Sequence, residues 1–597
     1  MTELSLGSVY DAMTSGIASP TGRPIAQLSF ALNHYFSGFD PFAFKATNLA
    51  IHLATGLLIY FAALRLLASG IFAGFAALLW LVHPIQLTSV LYVVQRMTSL
   101  STLFLLAGFL LHMSGRERGG RNRTAILLLA WLVCWPLSIM SKEIGVLFPL
   151  LILAWEVIIR RSVTVRLDRF ARILTTAISV AFATALIYVV LTNTQWLLDG
   201  YTTRGFSLTE RLLTEGRVLW LYFGLIVFPR LESLALHHDD ILLSTSFLSP
   251  WTTLPSLLGL VGLVWLAWQA RKKAPLMSFG IAWFLIGHSL ESTLLPLEIA
   301  HEHRNYLPSF GLAIIAAWAL ARAVEHSGWQ KTLSITLAVG MMSSFAITTS
   351  LRTHQFGDEL RRTQIEAQHH PNSKRTHYEA GKALVSHLAI PNAGSPRYYF
   401  ARKHYERAGE LDPTFKPGLL GLIHLNCLVK KAPEKAWFDE LSRHLHETTF
   451  STKDRNLLYH IKEMSIVGTL CMSRNEVQHL FTAAITNTTT AHHIKAILHS
   501  WQADYLILAA HDLPAAQSEL NKSLAIAPNN ASNLLKWSQL AFLQGHNKDA
   551  HEVLNRLKGM TLIQSERYIF KSLSNCLDTS RATQCTLKSG SRKQEQD

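Results

Sequence analysis

The chain has 597 residues, 49% of them hydrophobic and 16% charged, with a mean hydropathy of +0.21. That length exceeds one ordinary domain, and the hydropathy, high for a soluble protein, averages two unlike halves. The formal charge of +15 is not a nucleic-acid footprint. The arginines fall between apolar runs (Arg116, Arg118, Arg121 and Arg123, then Arg160, Arg161, Arg166, Arg169 and Arg172), where they set topology and meet lipid headgroups.

Residues 1–46 are polar and lack a basic start followed by an apolar core, so no signal peptide is read there. A span needs roughly 20 mostly apolar residues. Such runs cover about 47–67, 69–84, 98–113, 124–140, 144–160, 171–192, 254–270, 276–293, 307–324 and 332–350. The run 69–84 is short and ends at His83-Pro84, a helix stop. The stretch 211–229 is apolar but punctuated by Arg211, Glu215 and Arg217, and reads as an interfacial or re-entrant helix. Basic clusters at 114–123, 160–172 and 271–273 mark the cytoplasmic side. Loops 85–97, 141–143, 193–210, 230–253 and 294–306 then share the outer face, and the last span delivers the C-terminal domain there too. The same count puts residues 1–46 outside, which suggests a missing first span.

Beyond Leu351 the sequence turns polar, and no apolar run is long enough to cross a bilayer. YFARKHYERAGELDP, ending at Pro413, and LPAAQSELNKSLAIAP, ending at Pro528 and followed by LLKWSQLAFLQGHNKDAHEVL, share one design. Small and aromatic residues recur at helical spacing, Gly545 and Ala550 are expected at tight contacts, and a proline closes each unit. The period of ~34 residues is that of tetratricopeptide repeats. Tyr378, Gly381 and Leu384 mark a preceding helix, and residues 430–490 are degenerate. The expected fold is all-α: a polytopic membrane domain over 47–351, a repeat-like helical domain over 352–585 and a disordered tail over 586–597. Cys134 lies in a span. Cys427, Cys471, Cys576 and Cys585 lie in the outer domain, where an even count favours disulfides; three pairings are open, with Cys427–Cys471 and Cys576–Cys585 preferred.

Polar residues gather on the outer loops: Arg23, His34 and Asp40; His83 to Arg96; Ser141-Lys142-Glu143; His237-His238-Asp239-Asp240; and Glu298 to Pro308, which contains HEHR. Titratable groups this close to hydrocarbon are costly and usually face a cavity. Bland readings stand beside each. Lys142-Glu143 fits a hairpin ion pair, and Arg96 can snorkel. His237-His238-Asp239-Asp240 resembles a metal cluster, but adjacent side chains rarely ligate one ion. The HEHR run fits a phosphate pocket, with Arg304 forked onto oxygens and Glu302 orienting Arg304.

The segments GRPIAQLSFALNHYFSGFDPFAFKATNLAIHL, HP with VVQRMTSLSTLFLLAGF, SKE, and LESTLLPLEIAHEHRNYLP, in that order ahead of the repeats, resemble bacterial relatives of the TMTC proteins, transmembrane-and-tetratricopeptide O-mannosyltransferases. The resemblance implies a GT-C glycosyltransferase fold in a bacterial inner membrane, with the C-terminal domain in the periplasm. It implies an inverting enzyme that moves a sugar from a polyprenyl-phosphate donor to a protein or surface-glycan hydroxyl, the repeats holding the acceptor, with membrane lipid as surroundings and no metal or other cofactor. Arg96, Lys142 and Arg304 would serve the lipid phosphate. Glu143, Glu302 and His303 would orient them, and Arg23 would line the acceptor side. The acidic pair such enzymes carry after their first span is not found, and the aspartates at hand are Asp11 and Asp40. Both gaps point to about 40 residues upstream of Met1. The alternative is a non-catalytic membrane scaffold whose repeats recruit envelope or pilus assembly partners.

Overall fold

The computed structural model describes residues 4–14, 16, 21–117, 121–160, 169–192, 194–202, 204–325, 328–386, 390, 392–560, 562 and 564–579. Every regular element among them is a helix, and the chain divides into two compact units, Met1–Thr376 and His377–Asp597.

The first unit begins with α1 (Leu6–Thr14), α2 (Pro24–Ser37), α3 (Pro41–Leu67), α4 (Gly70–Leu81), α5 (Leu87–Leu91) and α6 (Arg96–Glu117). It continues through α7 (Arg121–Leu128), α8 (Trp135–Ser141), α9 (Phe148–Ala154), α10 (Arg169–Thr192), α11 (Thr194–Tyr201) and α12 (Leu208–Val227). The last five are α13 (Thr253–Ala270), α14 (Pro275–His288), α15 (Ser309–Val324), α16 (Trp329–Phe356) and α17 (Glu359–His369).

Local chemistry sets the ends. The Asp40 carboxylate accepts from the backbone N–H groups of Phe42 and Ala43 and is followed by Pro41 at the first helical position, a strong start for the 27-residue α3. At the end of α4 the His83 ring accepts from Ile85 N–H at 3.1 Å and Pro84 opens a 3-10 turn, so the chain bends by 49° before α5. This is the stop that the His83-Pro84 pair signals.

Among the described residues, five helices are long and apolar enough to cross a membrane: Pro41–Leu67, Val93–Glu117, Asn122–Ser141, Thr253–Ala270 and Trp329–Phe356; the bent pair Gly70–Leu81 and Pro84–Leu91, counted as one broken span, makes six. Their outer faces are bare. Leu258, Val261, Val264, Trp265 and Trp268 on α13, and Leu333, Leu337 and Val339 on α16, are exposed. Apolar surface in water costs about 25 cal/mol per Å², a cost that hydrocarbon removes, and the chain is a membrane protein.

Three expected spans differ in detail. Residues 144–160 form a 3-10 turn (Glu143–Leu147), α9 and a π turn (Trp155–Ile159). The two runs at 276–293 and 307–324 are helices of 14 and 16 residues, about 21 and 24 Å long against a hydrocarbon core of about 30 Å. The stretch 211–229 is one unbroken helix, α12, started by a reciprocal Ser207–Glu210 capping box.

The core of this unit is aromatic: Trp80, Phe109, Phe148, Phe279, Trp283, Tyr306 and Phe310 are all buried and contiguous. At the arginine-rich ends of α6 and α9, Glu156 sits among Arg116 at 2.6 Å, Arg160 at 3.2 Å and His112 at 3.3 Å. Arg118 and residues 161–168 of the basic clusters lie outside the described residues.

The compact boundary falls at 376/377, beyond the expected 351/352. Helix α16 carries straight through Leu351, and α17 is tied back to the first unit. Glu366 accepts from Leu236 N–H at 3.1 Å, and the Ser373 hydroxyl donates to Asp239. Polarity changes where the chain leaves hydrocarbon; packing changes one helix later.

The second unit takes most of α18 (Lys374–Ser386), then α19 (Pro396–Leu411), α20 (Lys416–Leu428), α21 (Lys435–Glu447), α22 (Thr452–Val467) and α23 (Arg474–Thr486). It ends with α24 (His492–Leu508), α25 (Leu513–Ile526), α26 (Ala531–Leu543), α27 (Asn547–Leu557) and α28 (Gln564–Thr579). Most of these helices pack on a sequence neighbour, and α21 on α23, α22 on α24 and α26 on α28 pack on the next but one. The middle that reads as degenerate is as helical as the rest, because reciprocal capping boxes at Ser451–Asp454 and Ser473–Glu476 define its starts. Tyr405 fills the space over two glycines; a Cβ on Gly421 would lie 2.6 Å from its ring. Gly545, expected at a tight contact, has open space where its Cβ would be. It is needed instead for its backbone, at φ +82°.

Cys427 and Cys471 form a disulfide that closes a 44-residue separation. The expected Cys576–Cys585 pair and the 586–597 tail lie outside the described residues or side chains. Gly421→Ala is expected to destabilise the second unit by about 1–3 kcal/mol through overpacking against Tyr405. Thermal unfolding of the detergent-solubilised chain checks this, and an unchanged transition would refute the close packing.

Candidate functional site

The HEHR run forms a 3-10 turn, Glu302–Asn305, between α14 and α15. Successive side chains on such a turn point about 120° apart, so Glu302 and Arg304 serve different partners.

Arg304 turns inward. Its Nη1 donates to Ile299 O at 2.9 Å and its Nη2 to Glu298 O at 2.6 Å. Its nearest carboxylate is Glu215 on α12, at 3.9 Å. Glu215 also pairs with Arg211 at 2.8 Å, and burial pushes it up to about 7 against the pull of both arginines. Arg211 in turn holds the loop after α14, donating to Thr293 O, Leu297 O and Glu291 O at 3.1, 2.5 and 2.7 Å.

Glu302 faces the other way. It accepts from Ala235 N–H at 2.8 Å, pairs with Arg352 at 2.7 Å and lies 3.6 Å from His238. The expectation that Glu302 orients Arg304 is therefore corrected. Glu215 and the loop carbonyls hold Arg304, while Glu302 anchors the end of α16.

Lys142 and Glu143 do not pair with each other. Lys142 reaches Glu291 at 2.6 Å and Thr98 Oγ1 at 3.1 Å. Burial works to raise the Glu291 carboxyl, but Lys142 and Arg304 bring it below its ordinary value. Glu143 receives a fork from Arg23, Nε at 3.1 Å and Nη2 at 2.8 Å, and a hydrogen bond from the Thr21 hydroxyl at 2.9 Å. Arg23 itself sits in the left-handed region at φ 50°. This pair is partly open, with 18% and 27% of the two side chains exposed.

His301 and His303 stack at 5.1 Å. Burial lowers the His303 imidazole well below its usual value, and the neighbouring Lys142, His301, Arg304 and Arg23 lower it further. Its ring is neutral near pH 7 and stands among three permanent cations.

Arg96, expected to snorkel or to serve phosphate, is corrected to a structural clamp. It is fully buried and lies over the rings of Phe30 and Phe44. Its three nitrogens are committed to Asn48 Oδ1 at 2.6 Å, Ser29 O at 3.1 Å and Phe44 O at 2.9 Å. Asp40 is engaged as the cap of α3 and Asp11 lies on α1. Among the described residues neither carboxylate has an ion-pair partner.

The structure thus gathers Arg23, Lys142, Glu143, His303 and Arg304, and adds Arg211, Glu215 and Glu291. Those three carried a signal, being charges inside otherwise apolar stretches. The same unit holds an apolar crevice of about 100 Å³, lined by Leu79, Trp80, Leu312, Ala316, Met341 and Phe345 and by none of the cluster's side chains.

Fold and site define a polytopic helical membrane protein with a cation-rich centre on loops at one end of its spans. Compared with known proteins, the chain is 24% identical to a protein O-mannosyl-transferase of Caenorhabditis elegans over 416 residues, 68% of this chain and 56% of the relative. It is 34% identical over 126 residues to protein O-mannosyl-transferase TMTC2 of Mus musculus, 21% of this chain and 15% of that protein. With human TMTC3 the figures are 31% over 148 residues, 24% and 16%. The chain is thus similar to the TMTC O-mannosyl-transferases, and it spans about half the length of the worm protein and less of the others. No family model and no solved structure matches it.

Lys142→Met is expected to destabilise the first unit by about 3–5 kcal/mol, because it strands a buried Glu291 carboxylate. Adding Glu291→Leu should restore most of the loss in thermal unfolding. A double variant no more stable than the single would show that the pair is not a buried ion pair.

Proposed function

We propose that the chain is a membrane glycosyltransferase that moves a sugar from a polyprenyl-phosphate carrier to a protein hydroxyl. The observation that carries the reading is a charge imbalance. Among the described residues of the cluster, Arg23, Lys142, Arg211 and Arg304 face only Glu143, Glu215 and Glu291 as carboxylates. Buried ions are tolerated when neutralised, so a centre with surplus positive charge is suited to an anionic group, and a phosphodiester or its departing phosphate supplies one. The relatives are named protein O-mannosyl-transferases, which makes mannose on a protein hydroxyl the first substrates to test.

In the proposed step the acceptor oxygen bonds to the sugar's anomeric carbon. The bond from that carbon to the phosphate oxygen breaks, and its electron pair leaves on the phosphate. Lys142 and Arg23 stabilise that charge, held in place by Glu291 and Glu143. His303 takes the hydroxyl proton. Its pKa is lowered first by burial and then by cations, and a bound phosphate offsets the second effect, so the imidazole becomes a better base when the donor is present.

The second unit is assigned to the acceptor. It carries a groove of about 550 Å³ lined by His492, His493, Trp501, Asn533 and Lys536, and successive helices packed as neighbours and next neighbours suit tetratricopeptide-type repeats. Its Cys427–Cys471 disulfide supports an oxidising compartment, hence the outer face of the membrane.

His303→Ala is expected to lower transfer from a polyprenyl-phosphate mannose to an acceptor protein by about 10²-fold or more, with membrane insertion and protein level unchanged. Trp501→Ala should raise the acceptor KM and spare kcat. Undiminished transfer by the His303 variant would sink the site assignment, and absent transfer by the native chain with every polyprenyl-phosphate sugar tried would sink the reading.

A further inference from the structure

A second cluster lies in the first unit, away from the carboxylate pairs of the proposed transfer site. His238 and Asp240 come from the loop between α12 and α13, and His370 caps the end of α17, 130 residues further along. One ligand atom from each lies within 4.8 Å of the other two. His238 and His370 are buried, at 5% and 8% exposure, and the Nε2 atom of each is enclosed without a hydrogen-bond partner. The nearest group to His238 Nε2 is the Glu302 carboxylate at 3.6 Å, while His370 Nδ1 meets Asp240 Oδ2 at 2.9 Å. The rings of His238 and His370 stand edge to face, 5.6 Å apart.

We propose that His238, Asp240 and His370 bind a divalent metal ion of the zinc class. Two imidazoles and one carboxylate form a nitrogen-rich donor set that suits zinc and disfavours magnesium or calcium. A tetrahedral ion at about 2.1 Å from each ligand holds them about 3.4 Å apart. Three protein ligands leave a fourth position for water.

The position gives the ion a structural task. The loop is already laced to the turn after α17: Asp239 accepts from the Ser373 hydroxyl and, at 3.3 Å, from Arg375 N–H. An ion here would fasten that turn to the loop. His238 also neighbours Glu302, which is bound to Arg352 at the end of α16. The metal would thus lock the exit of the last span against the turn that carries His303. Asp239 and His237 alternate with the ligands along the loop and stay free of the ion, which answers the objection that adjacent residues rarely share one.

The test uses the full chain in detergent, loaded with Zn²⁺ or Co²⁺ and dialysed against metal-free buffer. About one equivalent of zinc should remain, and the cobalt form should show visible d–d absorption of a four- or five-coordinate ion. The pair His238→Ala and His370→Ala should retain under about 0.1 equivalent and lose the band. Ser373→Ala removes the neighbouring clamp without touching a ligand and should keep both signals. Should the double variant fail to fold, the native chain decides alone: no retained zinc together with no cobalt band overturns the site. Equal retention by a folded double variant overturns it as well. Both readouts report metal binding and not sugar transfer, so the site and the transferase reading fail separately.

Discussion

A charge withdrawn from water into an apolar body must find its counter-charge within the protein, and this requirement organises the first unit more than any single apolar contact does. Arg211 shows how far one group can reach. From α12 it ties together three carbonyls of the loop after α14 and one carboxylate of its own helix. That loop positions Glu291 for Lys142 and Glu298 O for Arg304. Tyr201 and Arg204 hold the same loop at Leu294 O and Pro296 O. The isolated cost of a buried ion is several kcal/mol, so the buried pairs of Arg211, Glu215, Lys142 and Glu291 depend on one another.

The same requirement explains what the sequence made legible. Helices, the stop at His83, and the all-helical class follow from local rules: apolar run length, caps and prolines. These depend on neighbours a few residues away, and the reading of them needed nothing else. The broken stretch 143–159 was harder. Its composition is apolar apart from Glu143 and Glu156, and the 3-10 turn opens at Glu143, where Lys142 and Glu143 go to partners on different elements.

The site was legible as a set of residues but not as a set of pairings. HEHR, SKE and the Arg23 segment were singled out as polar groups near hydrocarbon, and Arg23, Lys142, Glu143, His303 and Arg304 do lie together. Their partners are remote: Glu143 bonds Arg23 across 120 residues, and Lys142 reaches Glu291 across a still longer span. Adjacent letters suggested a Lys142–Glu143 hairpin pair and a Glu302–Arg304 pair, and in each case the backbone sends the two side chains apart. Arg96 shows the converse error. A lone arginine in a polar loop invites a ligand, whereas two phenylalanine rings and three acceptors already enclose it. Nothing in its immediate sequence separates these cases, because Asn48 and Phe44 lie on a different helix.

This contrast gives a criterion for sorting the arginines and lysines of such a centre. A cation whose every donor ends on neutral carbonyls or amides is holding the fold, since moving it would break several bonds at once. Arg96 is of this kind, and Arg304 nearly so; Arg211 comes close, with three carbonyls and one carboxylate of its own helix. A cation held by carboxylates, and still partly open, keeps an electrostatic alternative: an incoming anion can compete for it without dismantling the backbone around it. Arg23 meets that description, with its fork on Glu143 and 18% of its side chain exposed. Lys142, held by Glu291 and one hydroxyl, is the next nearest. Under the proposed transfer reaction this criterion favours the SKE lysine and the arginine that precedes α2 over the arginine of HEHR as the groups that meet the phosphate.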